Sequence, residues 1–166
     1  MNRYINDKGE FATPSMMIGG RMVSNPTEDM LVEAGYHEYV EPAKTLADYK
    51  ADKIAEIEAY DASDAVNSFE LGGVRMWLSF DERARIRQSI DAYRNTGRTE
   101  MTKWFGGKAF TYPLDTWQSM MDRLSVYASE ALNATEQHRA AIAALATVDE
   151  VNAYDITIGY PERLVF

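Results

Sequence analysis

The sequence predicts an α+β fold in which short β-hairpins alternate with helices. Gly-Gly pairs at 19–20, 72–73 and 106–107 each separate two short apolar segments, and such a pair permits the positive φ angles of a tight hairpin turn. A helix-start pattern follows each hairpin, and apolar residues recur at helical spacing after residue 114. We therefore expect two β-hairpin–helix units, a C-terminal helical pair, an extended C-terminal tail and a small N-terminal hairpin–helix appendage.

The chain has 166 residues, of which 46% are hydrophobic, enough for one compact domain or a small domain with an appendage. Its composition divides the chain into three parts. The predicted divisions are a turn-rich N-terminal part at 1–44, a charged helical connector at 45–62 and a main α+β domain at 63–166.

The N-terminal part is predicted to place a short helix after its hairpin. Asn25 is a suitable N-cap, Pro26 favours the first helical position, and Glu28 completes a capping box. The helix should end near Gly35. The connector helix should then begin at Thr45 and end near residues 61–64.

The main domain starts with a hairpin at 69–78. Ser79 and Glu82 form the capping box of the next helix, which Gly97 ends, and a second hairpin follows at 101–112. Trp77, Trp104 and Trp117 occupy apolar strand or helix positions, so all three are assigned to the core.

The C-terminal third is predicted to be helical with an extended end. Helices are expected at 114–132 and 135–146 because apolar residues recur every three or four positions. A capping box from Thr147 to Glu150 starts a last short helix that ends near Tyr154. Residues 156–166 should be extended, either on their own sheet or added to the sheet of a partner.

Charge and composition exclude several classes of function. The formal charge is −9, which disfavours nucleic acid and anionic membranes as partners. There is no cysteine, so disulfides and thiolate chemistry are excluded. The first residues do not resemble a secretory signal, and no segment approaches the roughly 20 apolar residues of a membrane span. We expect synthesis and folding in a cytoplasm.

Residues typical of catalysis are sparse. His37 and His138, the two histidines, lie in separate segments, and structural or solvent-exposed roles suit both. The oxygen-bearing side chains between Asp61 and Asn67 could hold a hard cation, but helix capping accounts for them better. No phosphate-binding glycine motif or nucleophile elbow is present. We therefore predict no catalytic, cofactor-binding or metal-binding residues and no enzymatic activity.

Protein binding is the alternative that the composition favours. Ten tyrosines and three tryptophans supply the amphipathic rings that protein interfaces use. Two segments are candidates, the apolar C-terminal tail and the N-terminal hairpin. The candidate partner-binding residues are Tyr160, Pro161, Leu164, Val165, Phe166, Ile18 and Met22.

Several short motifs are similar to those of a known domain family. They are Lys53–Asp61, Asp64–Phe69, Met76–Leu78, Trp104–Gly106, Tyr127-Ala128, Ala153–Asp155 and Gly159–Leu164. With these motifs, residues 50–166 resemble a domain family of unknown function found in bacteriophages and prophages, in tail-fibre and tail-assembly gene regions. The family has no established catalytic residues.

The resemblance implies a virion structural protein of the tail or tail fibre. It would bind other tail or fibre proteins, as a homo-oligomer or as part of a larger assembly, after synthesis in the host cytoplasm. A tail-fibre assembly chaperone that does not stay in the virion is the first alternative. An intracellular phage protein that binds a host target is the second.

Overall fold

The computed structural model describes residues 3–166 and confirms the α+β fold. Helices alternate with antiparallel strand pairs, and each strand pair in the described residues forms its own two-stranded sheet. The chain divides into two compact units, residues 1–43 and 44–166.

The first unit consists of short strands and one short helix. Its elements are β1 (Tyr4–Asn6), β2 (Ser15–Ile18), β3 (Arg21–Ser24), α1 (Glu28–Glu33) and β4 (Tyr36–Glu38). β2 and β3 form the predicted hairpin around Gly19-Gly20, and β1 pairs with β4. The predicted end of the helix is also confirmed, because Gly35 follows α1 with a φ of +83°.

The start of α1 differs from the prediction. Asn25 is a turn residue with a φ of +50°, and the N-cap is Thr27, whose hydroxyl accepts a hydrogen bond from the Met30 N–H at 3.4 Å. The turn at Asn25 and Pro26 delays the helix by two residues. Glu28 therefore occupies the first helical position, where it cannot close a capping box with Asn25.

The second unit contains both predicted hairpin–helix units. Its elements are α2 (Leu46–Asp61), β5 (Phe69–Leu71), β6 (Val74–Met76), α3 (Phe80–Asn95), β7 (Glu100–Phe105), β8 (Lys108–Pro113), α4 (Leu114–Ala144) and α5 (Val148–Ala153). The hairpin β5–β6 precedes α3, and the hairpin β7–β8 precedes α4. The predicted start signals of α2, α3 and α5 are confirmed as complete capping boxes, Thr45 with Asp48, Ser79 with Glu82 and Thr147 with Glu150.

α4 is a single helix of 31 residues, so the predicted pair of helices at 114–132 and 135–146 is wrong. The break was expected just before Thr135, a side chain that is only 2% exposed. Its hydroxyl lies 3.2 Å from the Ala131 carbonyl and 2.9 Å from the Asp61 carboxylate. Because this hydroxyl bonds within the helix and across to α2, it does not cap a new helix.

α2 packs against α4 within the second unit, although the sequence suggested a separate connector at 45–62. Lys50 donates to the Ala143 carbonyl at 2.8 Å, while the Asp61 carboxylate accepts from Thr135 further along α2, so the two helices run antiparallel. Ile57 on this face is fully buried. Lys50 and Asp61, two polar residues of α2, are therefore part of the contact between the two helices.

The hydrophobic core of the second unit lies between α3, α4 and the two hairpins. Trp117 is 1% exposed and its indole N–H donates to the Met101 carbonyl at 2.8 Å, which confirms its core assignment. Trp77 is half-buried against Tyr127. The assignment of Trp104 to the core is wrong, since this side chain is 70% exposed. Alternation along β7 places it on the outer face of the hairpin.

Candidate interaction surfaces

The C-terminal tail docks on its own unit. Leu164 accepts a hydrogen bond from the Glu70 N–H at 2.9 Å, the Phe166 N–H donates to the Glu70 carbonyl at 2.9 Å, and the Gly72 N–H donates to the Phe166 carbonyl at 3.0 Å. These bonds extend the β5–β6 hairpin by a short parallel pairing along β5. Of the two possibilities left open by the sequence, the structure shows pairing with the chain's own sheet.

The last three side chains alternate between the core and the solvent. Phe166 packs edge-on against Phe69 with ring centroids 5.8 Å apart, and the Arg123 guanidinium lies 4.6 Å above the Phe166 ring. Leu164 also packs against the core, whereas Val165 between them is 62% exposed. Among these three candidate residues, Val165 is the one whose side chain is free for a partner.

Tyr160, at the start of the C-terminal tail segment 160–166, packs against α4. Its ring stacks on His138 with centroids 5.4 Å apart, and its hydroxyl lies 2.9 Å from the Thr135 hydroxyl. Burial raises the pKa of the Tyr160 phenol. Pro161 follows, half-buried. Tyr160 is therefore part of the internal packing of the unit.

His138 is a structural histidine, as the sequence suggested. It is 5% exposed, its Nε2 lies 2.9 Å from the Ile158 carbonyl, and its Nδ1 lies 2.8 Å from the Tyr154 hydroxyl. A carbonyl can only accept, so Nε2 carries a proton and donates it to Ile158. Both ring nitrogens thus hold the segment after α5 against α4.

An open groove of about 420 Å³ runs between the tail and α4. Val126, which is 57% exposed, lies on its α4 side, and Pro161 and Leu164 line its tail side. The carboxylates of Glu130 and Glu162 are at the same groove. The accessible parts of Pro161 and Leu164 therefore face a groove with both apolar and acidic lining.

The N-terminal hairpin presents a pair of methionines. Met22 is 68% exposed and lies directly opposite Met17, which is 59% exposed. Ile18 pairs with Arg21 on the other face of the hairpin and is half-buried. The two candidates from this hairpin, Ile18 and Met22, therefore point in opposite directions, and Met17 is the residue that accompanies Met22.

The outer face of the β7–β8 hairpin carries an exposed tryptophan. Trp104 lies opposite Ala109, and the neighbouring pair Thr102 and Thr111 is joined by a hydrogen bond of 2.7 Å between the two hydroxyls. Tryptophan is among the residues that contribute most to protein interfaces. This face is a third candidate interaction surface.

The carboxylates with shifted pKa values serve helix caps and turns. Hydrogen bonds from the Thr45 backbone and hydroxyl lower the pKa of Asp48, and bonds from Ser79 lower that of Glu82. Glu150 is shifted in the same direction, chiefly by the Ala146 N–H. These bonds stabilise the charged carboxylate, so the shifts follow from local structure.

Within residues 3–166, no cluster of three or more His, Asp and Glu side chains is arranged to hold a metal ion. None of the helices formed by these residues is both long and apolar enough to cross a bilayer.

Comparisons of the chain with protein-family models, with curated proteins and with solved structures found no match.

Met17 and Trp104 are the interface candidates that sequence reasoning missed. The signal for both was available in the two-residue Gly-Gly turns. Counting outward from such a turn pairs Met17 with Met22 and Trp104 with Ala109, and cross-strand partners share a face. What the sequence did not supply is which face packs on the core.

Proposed function

We propose that this chain is a non-enzymatic structural component of a bacteriophage tail or tail fibre that acts through contacts with other tail proteins. The tail setting rests on the resemblance of residues 50–166 to the phage domain family. The binding role rests on the exposed hairpin faces that carry Met17, Met22 and Trp104.

The single observation that favours protein binding is the position of these large apolar side chains. Each lies on the outer face of a β-hairpin, where a flat surface is open to a partner. Tryptophan and methionine are enriched in the buried centres of protein interfaces, where they exclude water at little cost in polar groups. In a tail, neighbouring subunits would cover these faces, whether copies of this chain or other tail proteins.

A tail-fibre assembly chaperone is the second candidate, because a chaperone would use the same apolar faces during folding of its client. An intracellular protein that binds a host target is the third. The three candidates differ in where the chain is found after assembly, namely in the virion, in the lysate with a tail protein, or in the lysate without one.

Quantitative mass spectrometry of gradient-purified particles, with the crude lysate analysed beside them, tests the proposal. We expect the chain in purified particles at a fixed ratio to known tail proteins. Abundance in the lysate together with absence from particles would overturn the virion role. Co-purification with a tail protein would then support the chaperone candidate. Absence of a co-purifying tail protein would support the candidate that binds a host target.

A further inference from the structure

We propose that the β2–β3 hairpin is a self-association surface through which two copies of this chain dimerise. This inference rests on the proposed role of the chain in protein binding and does not depend on its assignment to a tail. The first unit has a small core, an uncharged methionine face and an otherwise acidic surface.

The first unit has very little core of its own. In residues 3–43, Leu31 is the one buried side chain, at 6% exposed. Units of about 40 residues bury too small a share of their surface to be stable alone, so they are usually held by disulfides, metals or association. The absence of cysteine removes the disulfide. Burial of its exposed apolar side chains against another surface would stabilise this unit.

One face of the hairpin combines exposed apolar side chains with a lack of charge. Met17 and Met22 lie side by side across the strands, and Ser15 and Ser24 form the next pair on the same face, with their hydroxyl oxygens 3.5 Å apart. The charged residue of the hairpin, Arg21, lies on the opposite face. Methionine side chains are flexible and adapt readily to each other across an interface.

The distribution of charge makes this face suited to a second copy of the chain. In a two-fold dimer each surface meets itself, so a charged surface repels its copy while an uncharged one does not. The first unit has seven acidic and three basic residues. Its helix α1 exposes Met30 and Val32 but also carries Glu28, Asp29 and Glu33, so two copies of α1 would bring like charges together. The methionine face avoids this repulsion.

The size of the face sets the strength of the expected dimer. Stable complexes bury about 800 Å² on each partner, more than two methionines and two serines supply. Met17 and Met22 should therefore form the centre of a modest interface with a dissociation constant in the micromolar range, about 1–100 μM. Association should then depend on protein concentration.

Sedimentation velocity of the full chain between about 1 μM and 1 mM, a range that covers such affinities, is the first test. We expect a shift from monomer to dimer with rising concentration. Met22→Glu should weaken the dimer at least tenfold, because two carboxylates would face each other across the two-fold axis. Val40→Glu is the matched control, since Val40 is 81% exposed in the same unit but outside the hairpin. It should leave the dimer unchanged.

Mixing two oppositely charged variants makes the test specific to this face. Met22→Glu and Met22→Lys should each be monomeric alone and should associate when mixed, because opposite charges then meet at the interface. Circular dichroism would confirm that each variant is folded. A wild-type chain that stays monomeric throughout the range, a dimer insensitive to Met22→Glu, or a mixture that fails to associate would each overturn the proposal.

Discussion

Replacing Phe166 or Leu164 with alanine should destabilise the second unit, although both residues lie at the end of the chain. Truncating a fully buried Phe costs about 3–5 kcal/mol, and a fully buried Leu about 2–5 kcal/mol. Both side chains are partly buried, so roughly half of each cost applies. We expect Phe166→Ala to lower the free energy of unfolding by about 2 kcal/mol, including the loss of the edge contact with Phe69. Leu164→Ala should cost about 1.5 kcal/mol.

Combining the changes should bring the unit close to its limit of stability. The double variant should lose about 3–4 kcal/mol, which corresponds to a fall in Tm of roughly 6–16 °C for a chain of this size. Deleting residues 164–166 also removes the three backbone hydrogen bonds to Glu70 and Gly72, each worth about 1 kcal/mol. The total of about 6–7 kcal/mol lies within the range of about 5–15 kcal/mol that is typical for the stability of a whole domain. A truncation that abolishes partner binding could therefore do so through loss of the fold.

Urea unfolding followed by tryptophan fluorescence measures this loss in the second unit, because all three tryptophans lie after residue 44. Val165→Ala is the matched control, since it shortens an apolar side chain of the same tail segment at a 62% exposed position. It should change the free energy of unfolding by less than about 0.5 kcal/mol. If Phe166→Ala is no more destabilising than Val165→Ala, the docking of the tail on β5 is refuted.

Three further predictions concern the second unit and pH. Tyr127→Phe should lower the free energy of unfolding in urea by about 1–2 kcal/mol, because the buried Tyr127 hydroxyl donates to the Val66 carbonyl at 2.7 Å. An unchanged urea midpoint would contradict this prediction. Gly72→Ala should lower the free energy of unfolding by about 2–3 kcal/mol, because Gly72 has a φ of +52° and a Cβ there would lie 3.0 Å from the Phe110 ring. Gly73→Ala should cost about 1 kcal/mol, because Gly73 has a φ of +81° but open space around it. Equal losses of stability in the two variants would refute the contact with Phe110. The capping carboxylates of α2, α3 and α5 have lowered pKa values in the folded state. Their contribution to stability is therefore fully present above the unfolded pKa of roughly 4 and is lost as pH falls through the folded pKa values. Acid titration followed by circular dichroism should show this loss of stability, and a stability that is flat or rises below a pH of roughly 4 would contradict the prediction.

Local signals in the sequence determined most of the secondary structure. The Gly-Gly turns set the hairpins and their register, because two-residue turns leave few alternatives for the flanking strands. The capping boxes set the starts of α2, α3 and α5, since a cap involves only residues three positions apart. The exception is α1, where Asn25 has a positive φ and Thr27 is the cap.

Contacts between distant residues decided what the sequence left open or misassigned. Trp104 and Trp117 were both assigned to the core from the sequence, yet only Trp117 lies on a face that packs on the core. Thr135 continues α4 because its hydroxyl meets Asp61, 74 residues earlier. The tail belongs to its own unit because Phe166 reaches β5, nearly 100 residues before it in the chain. Local conformational preference fixes turns and caps, but which side of an element is buried depends on where the rest of the chain packs, and only the tertiary structure supplies that.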